Sequence, residues 1–495
     1  MNYQLGSIDL GIVVLYGLIM LTMGIYFFRK SKSSEQFMVA GRGIPAWAAG
    51  IAVMSTYTSS ISYIAVPGKA FEDNWHPLIF ALCAVPVTWF VTSYVIPHYR
   101  KNKIISVYNY LEEKIGAWGR NYAAFSFLLF MVGRVAVILY LSSLLLTSFI
   151  SVDIEMVILA IGIVTIIYTL MGGMDAVIWT DVVQSIIMIG GIIFVGYILT
   201  VDIFSQPDYL VQKAFDNHKF SLGDTSFSMG DRTIWVMVIY GISENIRNLI
   251  ADQNYTQKYS SVGTTAEARR SVWIAMLIYL PLTACFLYIG TALYAFYGGD
   301  AHILNEAITK GDEVFPYFIA TELPVGIKGL MIAAIMAASM STVDSALNSS
   351  ATVLFIDFYK KYFRPNASEA RSLSFLRWTT VIWGIMGIGF ALLMINAKSA
   401  LDVWWQISGI FGGGILGLFL LAIFNARITR LQGILSVLFS IVIIVWGTFF
   451  RDLPEAYSWM ECTMDPIIIG AASTAGLLLM ALVFVFFNKG PIKVE

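Results

Sequence analysis

Apolar runs of about twenty residues recur from one end of this 495-residue chain to the other, and their recurrence fixes the solvent the chain folds in. Roughly 20 residues of helix cross a hydrocarbon core, and within lipid only helices and closed barrels satisfy their own backbone polar groups. The alternation expected of barrel strands is not the pattern here, so the runs are read as transmembrane helices. The chain is an all-α polytopic membrane protein. Its composition agrees, with 58% hydrophobic and 13% charged residues, where an average soluble domain carries about 25% charged. A net charge of −1 offers neither a basic footprint for nucleic acid nor an acidic tail. Cys83, Cys285 and Cys462 stand far apart, outside any CxxC or Cys/His cluster, and suggest neither a disulfide framework nor a zinc site. The first run, Ile8 to Phe28, is too long for a signal-peptide core and lacks a small-residue cleavage site, so it is read as a retained span.

The pattern predicts about 13 transmembrane helices. Those that matter most below are the second (Ile44 to Val66), fourth (Tyr122 to Ile150), fifth and sixth (Val157 to Met171, Ala176 to Val201), seventh (Ile234 to Ala251), ninth (Val325 to Phe358) and eleventh (Val403 to Phe424). With the N-terminus outside, the inner loops hold roughly 19 Lys and Arg against roughly 6 in the outer ones, and the odd number of spans puts the C-terminus in the cytoplasm.

Two spans turn polar part-way, the second at "MSTYTSSISY" (Met54 to Tyr63) and the seventh at "YGISENIRNLIADQ" (Tyr240 to Gln253). Backbone freed from helical pairing at membrane depth is tolerated where it lines a cavity or holds an ion, so a matched pair of broken helices points to a transporter's binding site. Ser and Thr also serve as packing glue between membrane helices.

The ninth span carries "AASMSTVDSALNSS" (Ala337 to Ser350), in which Ala338, Ser341, Ser345 and Asn348 share one helix face with Thr342 and Asp344 on its flanks. Converging hydroxyls and carbonyls suit a hard monovalent cation, and no thiol or imidazole is at hand for a transition metal. Asp344 and Asp181 each cost about 2.5–3.5 kcal/mol to insert in hydrocarbon, which directs them to the protein interior or a pathway; for Asp181 a place at the membrane interface is the alternative. Arg134, in "FMVGRVAVILYL", lies near the middle of the fourth span. Its guanidinium either pairs with an aspartate or holds a substrate carboxylate by bidentate hydrogen bonds. Glu244 and Arg247, three residues apart, can pair with each other. A continuous polar pore, an appended sensor domain and a nucleophile with its base are all missing from the pattern, which argues against a channel, a sensor and an enzyme.

With "GGMDAVIWTDVVQ" (Gly172 to Gln184), "VYNYLEEKIG" (Val107 to Gly116) and "STVDSALNSS" (Ser341 to Ser350), the sequence resembles the sodium/solute symporter family over nearly its whole length. The resemblance implies a LeuT-type inverted-repeat fold: an extra N-terminal span and loop in residues 1–43, five-span repeats in 44–203 and 204–425, and two C-terminal spans and a tail in 426–495. It implies alternating access driven by Na⁺, with no other cofactor. The family's central sodium site falls on the carbonyls of Ser55, Thr58 and Ala338 and the hydroxyls of Ser341 and Thr342. A second site, present in some members, falls on Asp181, Ser341, Asp344 and Ser345; Asp344 stands where a serine is expected, a departure that bears on proton sensitivity and stoichiometry.

Within the family, "GRVAVILYL" and "AWAAG" most resemble bacterial sialic acid transporters. Ser59, Ser62 and Arg134 then hold the sugar acid, whereas Tyr57 replaces a threonine, Pro77 an aromatic gate and Ala81 a glutamine. The partners so implied are a small-molecule sugar acid, Na⁺ and the lipid bilayer of a bacterial inner membrane, with no nucleic acid and a monomeric state. A neutral sugar, polyol, amino acid or other carboxylate is the competing cargo.

Overall fold

The structure is a computed structural model that describes residues 5–101, 104–147, 149, 152–204, 209–298, 311–396, 412, 414–424, 428–451 and 453–487. All regular structure among them is helical. The chain begins with α1 (Ser7–Phe28) and a short helix, Ser34–Val39. The second predicted span follows as two helices, α2 (Ala46–Tyr57) and α3 (Ser60–Glu72), and then come α4 (Leu78–Phe90, continuing to Lys101), α5 (Tyr108–Ile115) and α6 (Ala117–Thr147).

Next is α7 (Ile154–Phe204), which covers both the fifth and sixth predicted spans. They are not joined by a loop: the chain turns at Gly173 alone, with φ +58° and ψ −146°. A Cβ there would lie 2.8 Å from the Cα and carbonyl of Phe37, so both the backbone angles and the close approach require glycine.

The seventh predicted span is broken as well. Helix α8 (Ile234–Ile246) widens over Arg247–Ala251, stops at extended Asp252 (φ −98°, ψ 117°) and resumes as α9 (Gln253–Ser260). The expected end at Ala251 therefore falls short by a helix. Its sequence, "QNYTQKYS", has no apolar signature, yet all eight residues are buried. After α10 (Thr265–Phe296) comes α11 (Ile327–Val353), then α12 (Glu369–Leu393), α13 (Arg430–Phe449) and α14 (Ile469–Phe487).

Among the described residues nine helices are long and apolar enough to cross a membrane. One of them is α7, with two spans, and the broken pairs α2/α3 and α8/α9 supply the second and seventh. Of the eleventh, residue 412 and 414–424 are described, and 403–411 and 413 lie outside the described residues.

Helix α11 is the axis of the molecule. Every residue from Ala337 to Val353 is buried, enclosed by α1, α6, α7 and α12. A helix buried on all sides can carry many serines, a threonine, an asparagine and an aspartate only if its neighbours, or a bound ion, satisfy them.

Candidate functional site

The polar face of α11 meets the two breaks. At the first, α2 ends because Thr58 and Ser59 are extended, and Thr58 N–H closes back on the Met54 and Ser55 carbonyls at 3.2 and 3.1 Å. The Ser59 N–H donates to Ser62 Oγ (3.3 Å), which starts α3. On α11, which packs against α2, the hydroxyls of Ser341 and Thr342 both donate to the Ala338 carbonyl, each at 3.1 Å. Three of the five expected ligands of the first sodium site are thus gathered on one turn of α11. The carbonyls of Ser55 and Thr58 belong to the break that packs against α11.

The expected second site is divided. Asp181 is fully buried on α7, in the protein interior. Its Oδ2 accepts from the ammonium of Lys258 at 2.7 Å, while Lys258 also donates to Thr56 Oγ1 (2.6 Å) and the Ala52 carbonyl (3.0 Å). Lys258, fully buried on α9, escapes detection in the sequence because its helix has no apolar run to mark it as a span. Asp344 sits in the other half. Its Oδ2 accepts from Tyr168 OH (2.8 Å) and Thr180 Oγ1 (3.4 Å) and its Oδ1 from Ser345 Oγ (3.1 Å), while no basic group lies within 4 Å among the described residues. Ser345 Oγ further donates to the Ser341 carbonyl at 2.7 Å. Oxygens dominate both halves, and no cluster of three or more His, Cys, Asp or Glu capable of holding a metal occurs among the described residues.

At the second break Asp252 draws two arginines. Arg134 Nη1 lies 3.8 Å and Arg247 Nη1 3.6 Å from Asp252 Oδ2. Arg134 also donates to the Thr56 carbonyl at 3.3 Å, and Arg247 donates to both carboxylate oxygens of Glu244. The Glu244 to Arg247 pair is formed, and Arg134 has an aspartate partner in a loose contact at 3.8 Å.

A cavity of about 250 Å³ opens on the Pro77 side of the first break. Tyr57, Ser62 and Pro77 line it together with Tyr240, Tyr279 and Phe286; Ser59, Ala81 and Arg134 do not. The ring of Tyr57 packs between Tyr255 (4.7 Å) and Tyr279 (4.9 Å), and its buried hydroxyl meets no hydrogen-bond partner among the described residues. Arg134 stands one layer behind, reaching the Thr56 carbonyl that Tyr255 OH also donates to at 3.2 Å.

Two broken helices around a hydroxyl-faced central helix, with buried charges beside a cavity, define a secondary transporter. Residues 37–440 match the sodium:solute symporter family, and the chain belongs to it. The sodium/sialic acid symporter NanT of Aliivibrio fischeri is 33% identical over 91% of this chain and 89% of its own length. The sodium/sialic acid symporter SiaT of Proteus mirabilis is 31% identical over 94% and 95%. A solved substrate-bound, outward-open Na⁺-coupled sialic acid symporter superposes with a TM-score of 0.90 at 28% identity, over 99% of this chain and 100% of that one. Mhp1, a nucleobase-cation-symport-1 transporter solved in a closed conformation, shares the fold with a TM-score of 0.56 at 15% identity over 92% and 95%. The architecture is the LeuT-type fold that the sequence resemblance implied.

Proposed function

We propose that this protein is a Na⁺-coupled symporter that imports a sialic acid, N-acetylneuraminate, or a related sugar acid by alternating access between residues 44–203 and 204–425. The observation that carries the proposal is the gathering of the Ala338 carbonyl and the Ser341 and Thr342 hydroxyls on the helix that packs against the two halves of the break at Thr58. Its strongest support outside the chain is the sialic acid named for two relatives and for the closely superposing structure. The basic loops support an N-terminus outside and a C-terminus in the cytoplasm of a bacterial inner membrane.

In this scheme the sugar enters the cavity beside Tyr57, Ser62 and Pro77, and its carboxylate exchanges with Asp252 on Arg134. Ser59 and the space beside Ala81 complete the contacts. One Na⁺ carried with one monoanion moves no net charge, so a tenfold Na⁺ gradient supports only about tenfold accumulation. A second Na⁺ adds about 3.7 kcal/mol at 100 mV, several hundredfold. Lys258 neutralises Asp181, so Asp344, with Ser341 and Ser345 beside it, supplies the charge for that second ion.

One observation favours a second reading, symport of a neutral sugar, polyol, amino acid or another carboxylate: Arg134 lies behind Tyr57 rather than in the cavity wall. Uptake of labelled N-acetylneuraminate into proteoliposomes, with an inward Na⁺ gradient against a matched K⁺ gradient, separates the two. Uptake that requires Na⁺ and is lost in Arg134→Ala supports the sugar acid. Absence of uptake by folded protein sinks that assignment, and Na⁺-driven uptake of a neutral solute that survives Arg134→Ala establishes the second.

A further inference from the structure

At the end of the bundle where α1 stops, a groove of about 480 Å³ runs along the first three turns of α12 and under Leu170 of α7. Its walls are apolar, formed chiefly by Leu170, Leu373, Trp378 and Val381, and the one charged residue in the lining is Arg377. The position of that guanidinium is fixed: Nη2 donates to the Ser31 carbonyl at 3.3 Å, and the group lies over the Phe28 ring at 4.7 Å. Its Nε–H, by contrast, is buried without an acceptor, and no carboxylate lies within 4 Å of Arg377 among the described residues. Glu369, the nearest acidic residue along α12, is engaged by the backbone N–H and hydroxyl of Ser34.

A buried, unsatisfied cationic donor costs free energy unless something supplies the acceptor. A free phosphate would satisfy the guanidinium and leave the apolar slot to water; a neutral lipid would fill the slot and offset no charge. One molecule does both. We propose that the groove binds an anionic glycerophospholipid, its phosphate on Arg377 and one acyl chain laid along Leu170, Leu373 and Val381. The surroundings suit this occupant. Trp378, 66% exposed, is placed for the headgroup belt where tryptophan concentrates. Arg29, Lys30 and Lys32, next in sequence to the Phe28 and Ser31 that hold Arg377, and Arg371, beside the lining residue Ala370, are exposed, and clustered basic residues attract anionic lipid. Arginine matches the phosphate geometry with paired donors.

The test is native mass spectrometry of the full-length protein released from micelles containing phosphatidylglycerol and phosphatidylcholine in equal amounts. Wild type is expected to retain phosphatidylglycerol in preference by about fivefold, the discrimination of one basic residue at the membrane surface. Arg377→Ala should bring the ratio close to one, and Leu373→Trp, which fills the slot and keeps the charge, should reduce retention of phosphatidylglycerol. Equal retention of the two lipids by wild type overturns the proposal without any variant having to fold. So does an Arg377→Ala protein, monodisperse and melting with wild type, that keeps the full preference. No sugar and no Na⁺ enter the measurement, so its outcome is independent of the transport reading.

Discussion

Replacing Lys258 with methionine removes an ammonium from a place where three oxygens surround it: Asp181 Oδ2 at 2.7 Å, Thr56 Oγ1 at 2.6 Å and the Ala52 carbonyl at 3.0 Å. The two oxygens other than Asp181's have alternatives, since Thr56 Oγ1 itself donates to the Ala52 carbonyl at 3.0 Å. Asp181 has none. Its Oδ1 already lacks a partner among the described residues, and the residue is entirely buried. Removing one partner of such a pair leaves an uncompensated buried charge, a loss of about 3–5 kcal/mol. With an unfolding entropy near 2.1 cal/mol/K per residue, a fall in melting temperature of about 3–5 °C is expected for a chain of this length. The double variant Lys258→Met/Asp181→Leu, which removes both charges, should recover most of the loss, because replacing a buried pair by apolar groups is often neutral. Na⁺ adds a second signature. The vacated position keeps a carboxylate, a hydroxyl and a carbonyl, so rising Na⁺ should stabilise Lys258→Met more than wild type, as a ligand that binds only the folded state does. Melting curves of the three proteins in detergent, at low and high Na⁺ with K⁺ making up ionic strength, provide the measurement. A Lys258→Met protein that melts with wild type would refute the reasoning, and so would a double variant no more stable than the single one.

Other outcomes follow from the same geometry. Ser341→Ala and Thr342→Ala each remove a hydroxyl from the group converging on Ala338, and the Na⁺ concentration for half-maximal uptake should rise about tenfold or more in each, the effect of losing roughly 1.4 kcal/mol; unchanged Na⁺ dependence would exclude these groups as ligands. His76, in the turn before α4, has its pKa pushed down to about 4, chiefly by burial. Its neutral form therefore stabilises the fold above the ordinary value of 6.5, and that stability is lost as pH falls toward about 4, by up to about 3 kcal/mol. A His76→Gln variant should flatten the melting temperature profile between those limits. Gly173→Ala should lower melting temperature and yield through a backbone conformation worth about 1–3 kcal/mol of strain and a clash with Phe37, whereas Gly190→Ala, with open space around its Cβ position, should not.

Hydrophobicity made most of the architecture legible, because lipid forces each spanning segment to declare itself by length. Both breaks were legible too, as hydroxyl-rich and charged interruptions at Met54 to Tyr63 and Tyr240 to Gln253. What escaped was the continuation of the second break. Helix α9 is shielded from lipid by α2, α10 and α11, so its residues answer to protein neighbours and carry no apolar run. Lys258 went unseen for that reason, and with it the partner that divides the expected second ion site. Arg134 was legible as a mid-span cation that either pairs with an aspartate or holds a substrate carboxylate. Its place between Asp252 and the Thr56 carbonyl depends on the angle at which α6 meets two helix ends, which residue spacing does not encode. Tyr57 was visible as a departure from the family's pattern, but its packing between Tyr255 and Tyr279 joins residues from three separate helices.

The loose contact between Arg134 and Asp252 has a consequence for turnover. Asp252 is a tethered rival for the arginine that the cargo's carboxylate is proposed to occupy, and it is always present at high local concentration. Under that proposal an arriving acid would have to displace it, and a departing one would be replaced without the guanidinium standing bare in a water-poor interior. Intrinsic affinity is given up on arrival and returned as speed at release. A carrier working against a steep gradient gains from that exchange, because a cargo that cannot leave is carried only once.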